Sequence, residues 1–115
     1  MRSHATTKGL ERATHRALYY SMGMLPEELD KPLVGIINPQ NETMPGHAHL
    51  DIIARGVREG VLAAGGTPIE FGTIGLCDGL AQGNYGMHYP LASRELICDS
   101  IECMIQGHSY DAMVL

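Results

Sequence analysis

Apolar side chains recur along this chain with two different periods, and the alternation between them sets out the expected fold. Leu10, Ala13, Thr14, Ala17, Leu18 and Ser21 stand three or four residues apart and stop before Gly23, the pattern of a short helix ended by a glycine cap. After a turn over 24–30, Leu33-Val34-Gly35-Ile36-Ile37 forms a continuous, largely β-branched run of the kind buried on both faces of a parallel sheet. The helical period returns at Leu50, Ile53, Ala54, Val57, Val61 and Ala64 and ends at Gly65-Gly66. Thr67 to Ile74, around Ile69 and Phe71, predicts a second strand. Ser93 is a suitable N-cap, with Glu95 in the first turn, for a helix with the seam Leu96, Ile97, Ser100, Ile101, Met104 and Ile105 that ends near Gly107. Asp111 to Leu115 begins a third strand.

The order helix, strand, helix, strand, long loop, helix, strand implies an α/β fold: a parallel sheet with helices on its faces, joined by right-handed crossovers. A last strand at Met113-Val114-Leu115 with nothing after it would leave an apolar edge bare. Residues 1–115 are therefore expected to be the N-terminal part of a larger domain. The stretch Gly75 to Ala92 carries Gly75, Gly79, Gly83 and Gly86, and a loop of that length in a compact domain is usually functional or disordered.

Composition narrows the function classes. No apolar run reaches membrane-spanning length and the first eight residues lack the apolar core of a signal peptide, so a cytoplasmic protein without membrane contact is expected. Eight Lys plus Arg against thirteen Asp plus Glu give a net charge of -5, with the basic residues scattered, which argues against nucleic acid as a partner. Cys77, Cys98 and Cys103 form no C-x-x-C pair, which disfavours both a disulfide framework and a self-contained zinc site.

Ligands of open parallel sheets sit beyond the carboxyl ends of the strands. That rule selects 38–46, 75–92 and whatever follows Leu115. In the second stretch Asp78 precedes Gly79, where a carboxylate with little cover from its own backbone can reach a hard cation; an ordinary Asx turn is the alternative. Asn38, Asn41, Glu42, His47 and His49 cluster where a helix begins, a place that favours anions such as a substrate carboxylate, although such side chains also serve simply to satisfy a turn. His47 and His49 lie about 200° apart around a helix and cannot chelate jointly. Cys98 and Cys103, about 140° apart, are expected as core thiols. Cys77 is either a small loop residue or a cluster ligand without partners. The glycines match neither a dinucleotide fingerprint nor a P-loop.

Read as strings, Pro45-Gly46-His47-Ala48-His49-Leu50, Ala64-Gly65-Gly66-Thr67-Pro68-Ile69-Glu70-Phe71-Gly72-Thr73-Ile74, Asp78-Gly79-Leu80-Ala81-Gln82-Gly83, Gly86-Met87-His88-Tyr89 and Ser93-Arg94-Glu95-Leu96-Ile97 occur in a shared order. In this the chain resembles the N-terminal region of dihydroxy-acid dehydratases and their relatives, the phosphogluconate and sugar-acid dehydratases. The resemblance implies a lyase that removes water from a 2,3-dihydroxy acid to give a 2-oxo acid in branched-chain amino-acid (valine and isoleucine) biosynthesis. It implies Mg²⁺, ligated by Asp78, and an iron-sulfur cluster. In that scheme Mg²⁺ grips the substrate carboxylate and 2-hydroxyl, and a cluster iron is the Lewis acid for the 3-hydroxyl.

By the same resemblance no catalytic residue lies within 1–115. The cluster cysteines, the general base and the other Mg²⁺ ligands follow Leu115, and the fragment alone is inactive. The full-length protein is expected as a homodimer or higher homo-oligomer. Gly46 stands where many relatives carry a cluster cysteine, which resembles the branch with a four-iron (4Fe-4S) rather than a two-iron (2Fe-2S) cluster. Cys77 replaces a usual Asp, His88 a frequent Arg, and Pro90 and Ala92 also depart from the common string. These differences keep a sugar-acid or 6-phosphogluconate dehydratase as an alternative, with a non-catalytic α/β binding module as an alternative of another class.

Overall fold

The computed structural model describes residues 1–115. Its frame is an all-parallel sheet of three strands in the order β2-β1-β3, with β1 (Leu33–Asn38) between β2 (Thr67–Gly72) and β3 (Ala112–Val114). Leu33 aligns with Thr67 and Asn38 with Gly72 on one side, and Val34 with Ala112 and Ile36 with Val114 on the other. The sequence explains the placement. Leu33, Gly35, Ile36 and Ile37 are all buried, so β1 has no face for water and takes the centre. β2 accommodates Pro68 because one side of an edge strand needs no ladder donor.

Helices cover the two faces of β1. Leu33 and Ile37 pack with Ile105 and Tyr110, and Tyr19, Met24, Ile69, Phe71 and Ile101 complete that side of the core. A Cβ on Gly35 would lie 2.9 Å from Ile105 Cδ1 and 3.1 Å from Tyr110 Cδ2, so the missing side chain is what lets α5 (Pro90–Gly107) lie close against the strand. On the opposite face α3 (Leu50–Ala63) presents Ala54 as its buried contact, with Leu50, Val57 and Val61 half-buried beside it. The α/β class with a parallel sheet and helices on its faces is as expected. No helix is long and apolar enough to cross a membrane.

Three local expectations need correction. The first concerns the N-terminal helix, α2 (Ala13–Ser21), preceded by α1 (His4–Thr7). Its expected seam faces water: Leu10 is 88% and Leu18 67% exposed, and Tyr19 makes the core contact instead. Polar anchors hold this region where an apolar stripe is lacking. Arg16 donates to the carbonyls of Thr7 and Gly9, and the hydroxyls of Thr6 and Tyr19 meet at 3.1 Å. The second concerns α5, which starts at Pro90 and not at Ser93, since proline suits a first helical turn that needs no N–H donor. Ser93 lies inside the helix and donates its hydroxyl to Pro90 O at 2.7 Å.

The third concerns Cys98 and Cys103, which are exposed and not in the core. Ile97, Ile101 and Ile105, spaced by four, fill the inward face of α5, and cysteines one and two positions away from that stripe are turned outward. The stretch 75–92 is also more ordered than a plain loop. It contains the one-turn helix α4 (Asp78–Ala81) and a 3₁₀ turn over Tyr85–His88, while β2 stops at Gly72, short of Ile74.

Asp111 ties the start of the chain to the sheet, a role the sequence did not disclose. Its carboxylate accepts from the amide of Ser3 at 3.1 Å and from that of Leu33 at 2.9 Å, while its own amide donates to Leu33 O at 2.9 Å. Burial alone would raise its pKa. The Ser3 hydroxyl, which has no partner of its own at hydrogen-bond geometry, and the amides of Ser3, Leu33 and Arg2 lower it by more, so the carboxyl titrates below the ordinary aspartate value.

α5 ends in the same way as α2. Gly23 (φ 87°) donates to Tyr20 O and Met24 to Tyr19 O; at the end of α5, Ser109 (φ 56°) donates to Gln106 O and Tyr110 to Ile105 O. Ser109 is the one non-glycine residue with positive φ, and an L side chain is strained there. Ser109→Gly is therefore expected to stabilise this end by about 0.5 kcal/mol, the relieved strain less the extra entropy of an unfolded glycine. The Tyr110 amide should then exchange with solvent roughly twofold more slowly; faster exchange would contradict the assignment.

Candidate active site

Peptide segments leaving the carboxyl ends of all three strands meet in one open cleft of about 570 Å³. Pro39, Met44 and His47 come from the segment after β1, the run 73–79 follows β2, and Leu115 follows β3. The first turns of α5 close the far side with Pro90, Ser93, Arg94 and Ile97. The position is the one open α/β sheets reserve for ligands. β1 has its two neighbours on opposite sides and its covering helices on opposite faces, so the connections diverge from its carboxyl end and leave a crevice there.

Asp78 stands in this cleft as the first residue of α4, with Cys77 before it as N-cap. The Asp78 side chain is exposed and makes no hydrogen bond within the chain, so its carboxylate is free to take an external cation. Cys77 is a half-buried free thiol on the same wall. Ile37, Ile74, Leu76, Ile97 and Ile101 supply an apolar lining.

The polar cluster after β1 divides. Asn38 donates to Glu70 Oε1 at 2.8 Å and accepts from the Gln40 amide, while Asn41 Oδ1 accepts from the amides of Thr43 and Met44 and from the Thr43 hydroxyl. These two asparagines shape the turn. Glu42 and His49 are exposed and lie outside the cleft lining; His47 alone of the group enters it. Its Nδ1 lies 3.0 Å from Pro39 O.

Arg94 is the cleft residue that the sequence pattern hid. It lines the cleft from α5, where it is the one side chain that carries a fixed positive charge and makes no hydrogen bond or ion pair within the chain. A second groove of about 530 Å³ lies between α5 and β3, lined by Ile97, Ile101, Ile105, Met113 and Leu115 together with Cys98, Glu102, Gln106 and Arg94, which borders both clefts. Its polar members all come from α5, whereas the first cleft gathers polar groups from the segments after β1 and β2 as well as from α5. No three His, Cys, Asp or Glu side chains within the chain group closely enough to hold a metal ion.

Residues 31–115 match the family model for the dihydroxy-acid/6-phosphogluconate dehydratase N-terminal region. The chain belongs to that family. It is 59% identical over 114 residues to the dihydroxy-acid dehydratase of Acetivibrio thermocellus, an alignment covering 99% of this chain and 21% of that protein. It is 57% identical to the enzyme of the same name from Clostridium novyi and 56% identical to that of Pyrococcus abyssi, in each case over 100% of this chain and 21% of the relative. The chain thus spans about a fifth of the length of the dehydratases it matches.

Proposed function

We propose that residues 1–115 form the N-terminal part of the catalytic α/β domain of a hydro-lyase that converts a 2,3-dihydroxy carboxylic acid to a 2-oxo acid. The observation that carries the reading is Asp78, an unpaired carboxylate at the mouth of a cleft beyond three parallel strands, in a chain of the dehydratase family. An exposed carboxylate with no internal partner suits Mg²⁺, which takes one or two protein carboxylates and fills its remaining positions with water and substrate oxygens. Asp78 is one such ligand. Cys77 is the lone thiol in the cleft, since Cys98 and Cys103 are not part of its lining. An iron-sulfur cluster, of four irons in this reading, would accordingly draw its ligands from beyond 1–115, as would the general base. When bound, the ion and the cluster supply Lewis acidity for loss of the C2 proton and of the C3 hydroxyl.

The chain's own residues bind and orient. Arg94 offers a planar pair of donors to the substrate carboxylate. The apolar wall of Ile37, Ile74, Leu76 and Ile97 lowers the polarity beside the reacting carbons, which strengthens the pull of the fixed charges on the enolate-like charge developing at C2. Loss of the C2 proton and of hydroxide from C3 leaves an enol, which tautomerises to the 2-oxo acid.

The relatives that the chain matches over its whole length are named dihydroxy-acid dehydratases, which supports a short unphosphorylated acid and a place in branched-chain amino-acid biosynthesis over 6-phosphogluconate. We place the complete protein in the cytoplasm as a homo-oligomer. The test is the complete polypeptide, reconstituted with iron, sulfide and Mg²⁺, assayed on 2,3-dihydroxyisovalerate, gluconate and 6-phosphogluconate. The reading expects kcat/KM on the first to exceed the others by more than about tenfold, the discrimination one well-made contact supplies. Preference for the phosphorylated acid would overturn it.

A further inference from the structure

We propose that His47 determines specificity by accepting a hydrogen bond at Nε2 from a hydroxyl of the bound acid. This rests on the reading of the cleft as a hydroxy-acid site. The ring is fixed from two sides. Pro39 O accepts from His47 Nδ1 at 3.0 Å and from Asn41 Nδ2 at 3.0 Å, which uses both lone pairs of that carbonyl. A carbonyl can only accept, so Nδ1 carries the proton, and in the neutral ring Nε2 is then a bare acceptor. The other constraint is Gly75, where a Cβ would stand 2.9 Å from His47 Nδ1, 3.1 Å from its Cε1 and 3.1 Å from Asn41 Nδ2. The imidazole edge therefore rests on the bare backbone of the segment that leads from β2 to Asp78.

Nε2 is left without a partner in the chain and is not sealed off from solvent. His47 lines the same cleft as Asp78 and, on its far side, Arg94. Those two groups account for the anionic end of a hydroxy acid, one through a cation and one directly. A neutral acceptor repels a carboxylate and matches the O–H of a hydroxyl, a donor that stays available even when the hydroxyl oxygen is held by a metal ion. Holding an acceptor in one tautomer beforehand also makes a ligand without the hydroxyl costly to bind, because the acceptor is then desolvated and unpaired.

The test uses the full-length holoenzyme and three unreactive competitive inhibitors: 2-hydroxyisovalerate, 3-hydroxyisovalerate and isovalerate. Wild type should bind one of the hydroxy acids more tightly than isovalerate. In His47→Phe that gap should shrink by about tenfold, the worth of one hydrogen bond to a desolvated acceptor, with Ki for isovalerate and Mg²⁺ affinity within about twofold. Gly75→Ala, which pushes the ring off Pro39 without removing it, should shrink the gap in the same direction. An unchanged gap in both variants would overturn the proposal. So would loss of iron and of cluster absorbance in His47→Phe, which would put the ring on iron instead. Turnover of 2,3-dihydroxyisovalerate by wild type reports separately on the functional reading, so failure of one is distinguishable from failure of the other.

Discussion

Asp78→Asn in the complete polypeptide is expected to lower dehydration by at least about 100-fold, with Mg²⁺ affinity falling by a similar factor, the range seen when a charged group serving a metal or a developing charge is removed. The amide keeps the size of the carboxylate and loses its charge, and a hard cation that dehydrates reluctantly depends on that charge. The fold should not notice. The Asp78 side chain is exposed and has no hydrogen bond in the chain, so circular dichroism and the thermal midpoint should match wild type. Raising Mg²⁺ should recover part of the activity, because weaker binding is offset by mass action. Activity within about threefold of wild type at low Mg²⁺ would remove Asp78 from the ion's coordination sphere.

Asp111→Asn is expected to have the largest effect on stability. The carboxylate accepts from two amides that belong to separate parts of the chain, Ser3 at the start and Leu33 at the head of the central strand. An asparagine can accept with its one oxygen only, and its NH2 then confronts a second N–H donor. The loss of one charge-assisted bond and the stranding of a partly buried donor cost about 1–3 kcal/mol.

The pH dependence follows from the lowered pKa of Asp111. A carboxyl whose folded pKa lies below its unfolded value contributes its full stabilisation above the ordinary aspartate pKa, about 3.9, and loses it as pH falls through the folded value. Wild type and Asp111→Asn should thus differ most at neutral pH and converge in acid. Exchange of the Ser3 and Leu33 amides, followed from pH 7 downward, reads the effect locally. A difference that grows as pH falls would contradict the assignment.

The parts of the fold that could be read beforehand are those where one physical requirement dominates. The run 33–37 has no polar face, so it had to be the centre of the sheet; the stripe Leu50, Ile53, Ala54, Val57, Val61 and Ala64 gave a helix lying on it, although Ile53 and Ala64 are exposed. The N-terminal helix misled because its spacing is helical while its fixation is polar. Arg16, Thr6 and the Ser3 amide hold that region through partners that periodicity does not register. The N-cap of α5 is Tyr89, four residues ahead of Ser93: Ser93 is as good a cap as a sequence offers, yet Pro90 provides a start that needs no cap. Arg94 was concealed because its cleft neighbours come from the segments after β1 and β2, which only the fold brings together.

The site divides along the same line. For Asp78 the carboxylate beside a glycine left an Asx turn open, and the family resemblance supplied the Mg²⁺ reading; the structure lines the cleft with that side chain. Asn38 and Asn41 were not separable from His47 by residue type, since all three are polar and close in sequence. Only the spatial partners show that the asparagines spend their hydrogen bonds on the turn while the imidazole keeps one atom free. Gly75 could not have been identified at all without the fold, because its reason is a neighbour from a segment some thirty residues earlier in the chain.

The most direct measurement is a crystal structure of the complete polypeptide with Mg²⁺ and an unreactive hydroxy acid bound. A carboxylate oxygen of Asp78 should lie about 2.1 Å from the ion, the distance Mg²⁺ demands of an oxygen ligand. An ion held entirely by other groups, with Asp78 turned into solvent, would contradict the claim that this carboxylate brings the cation to the end of the sheet.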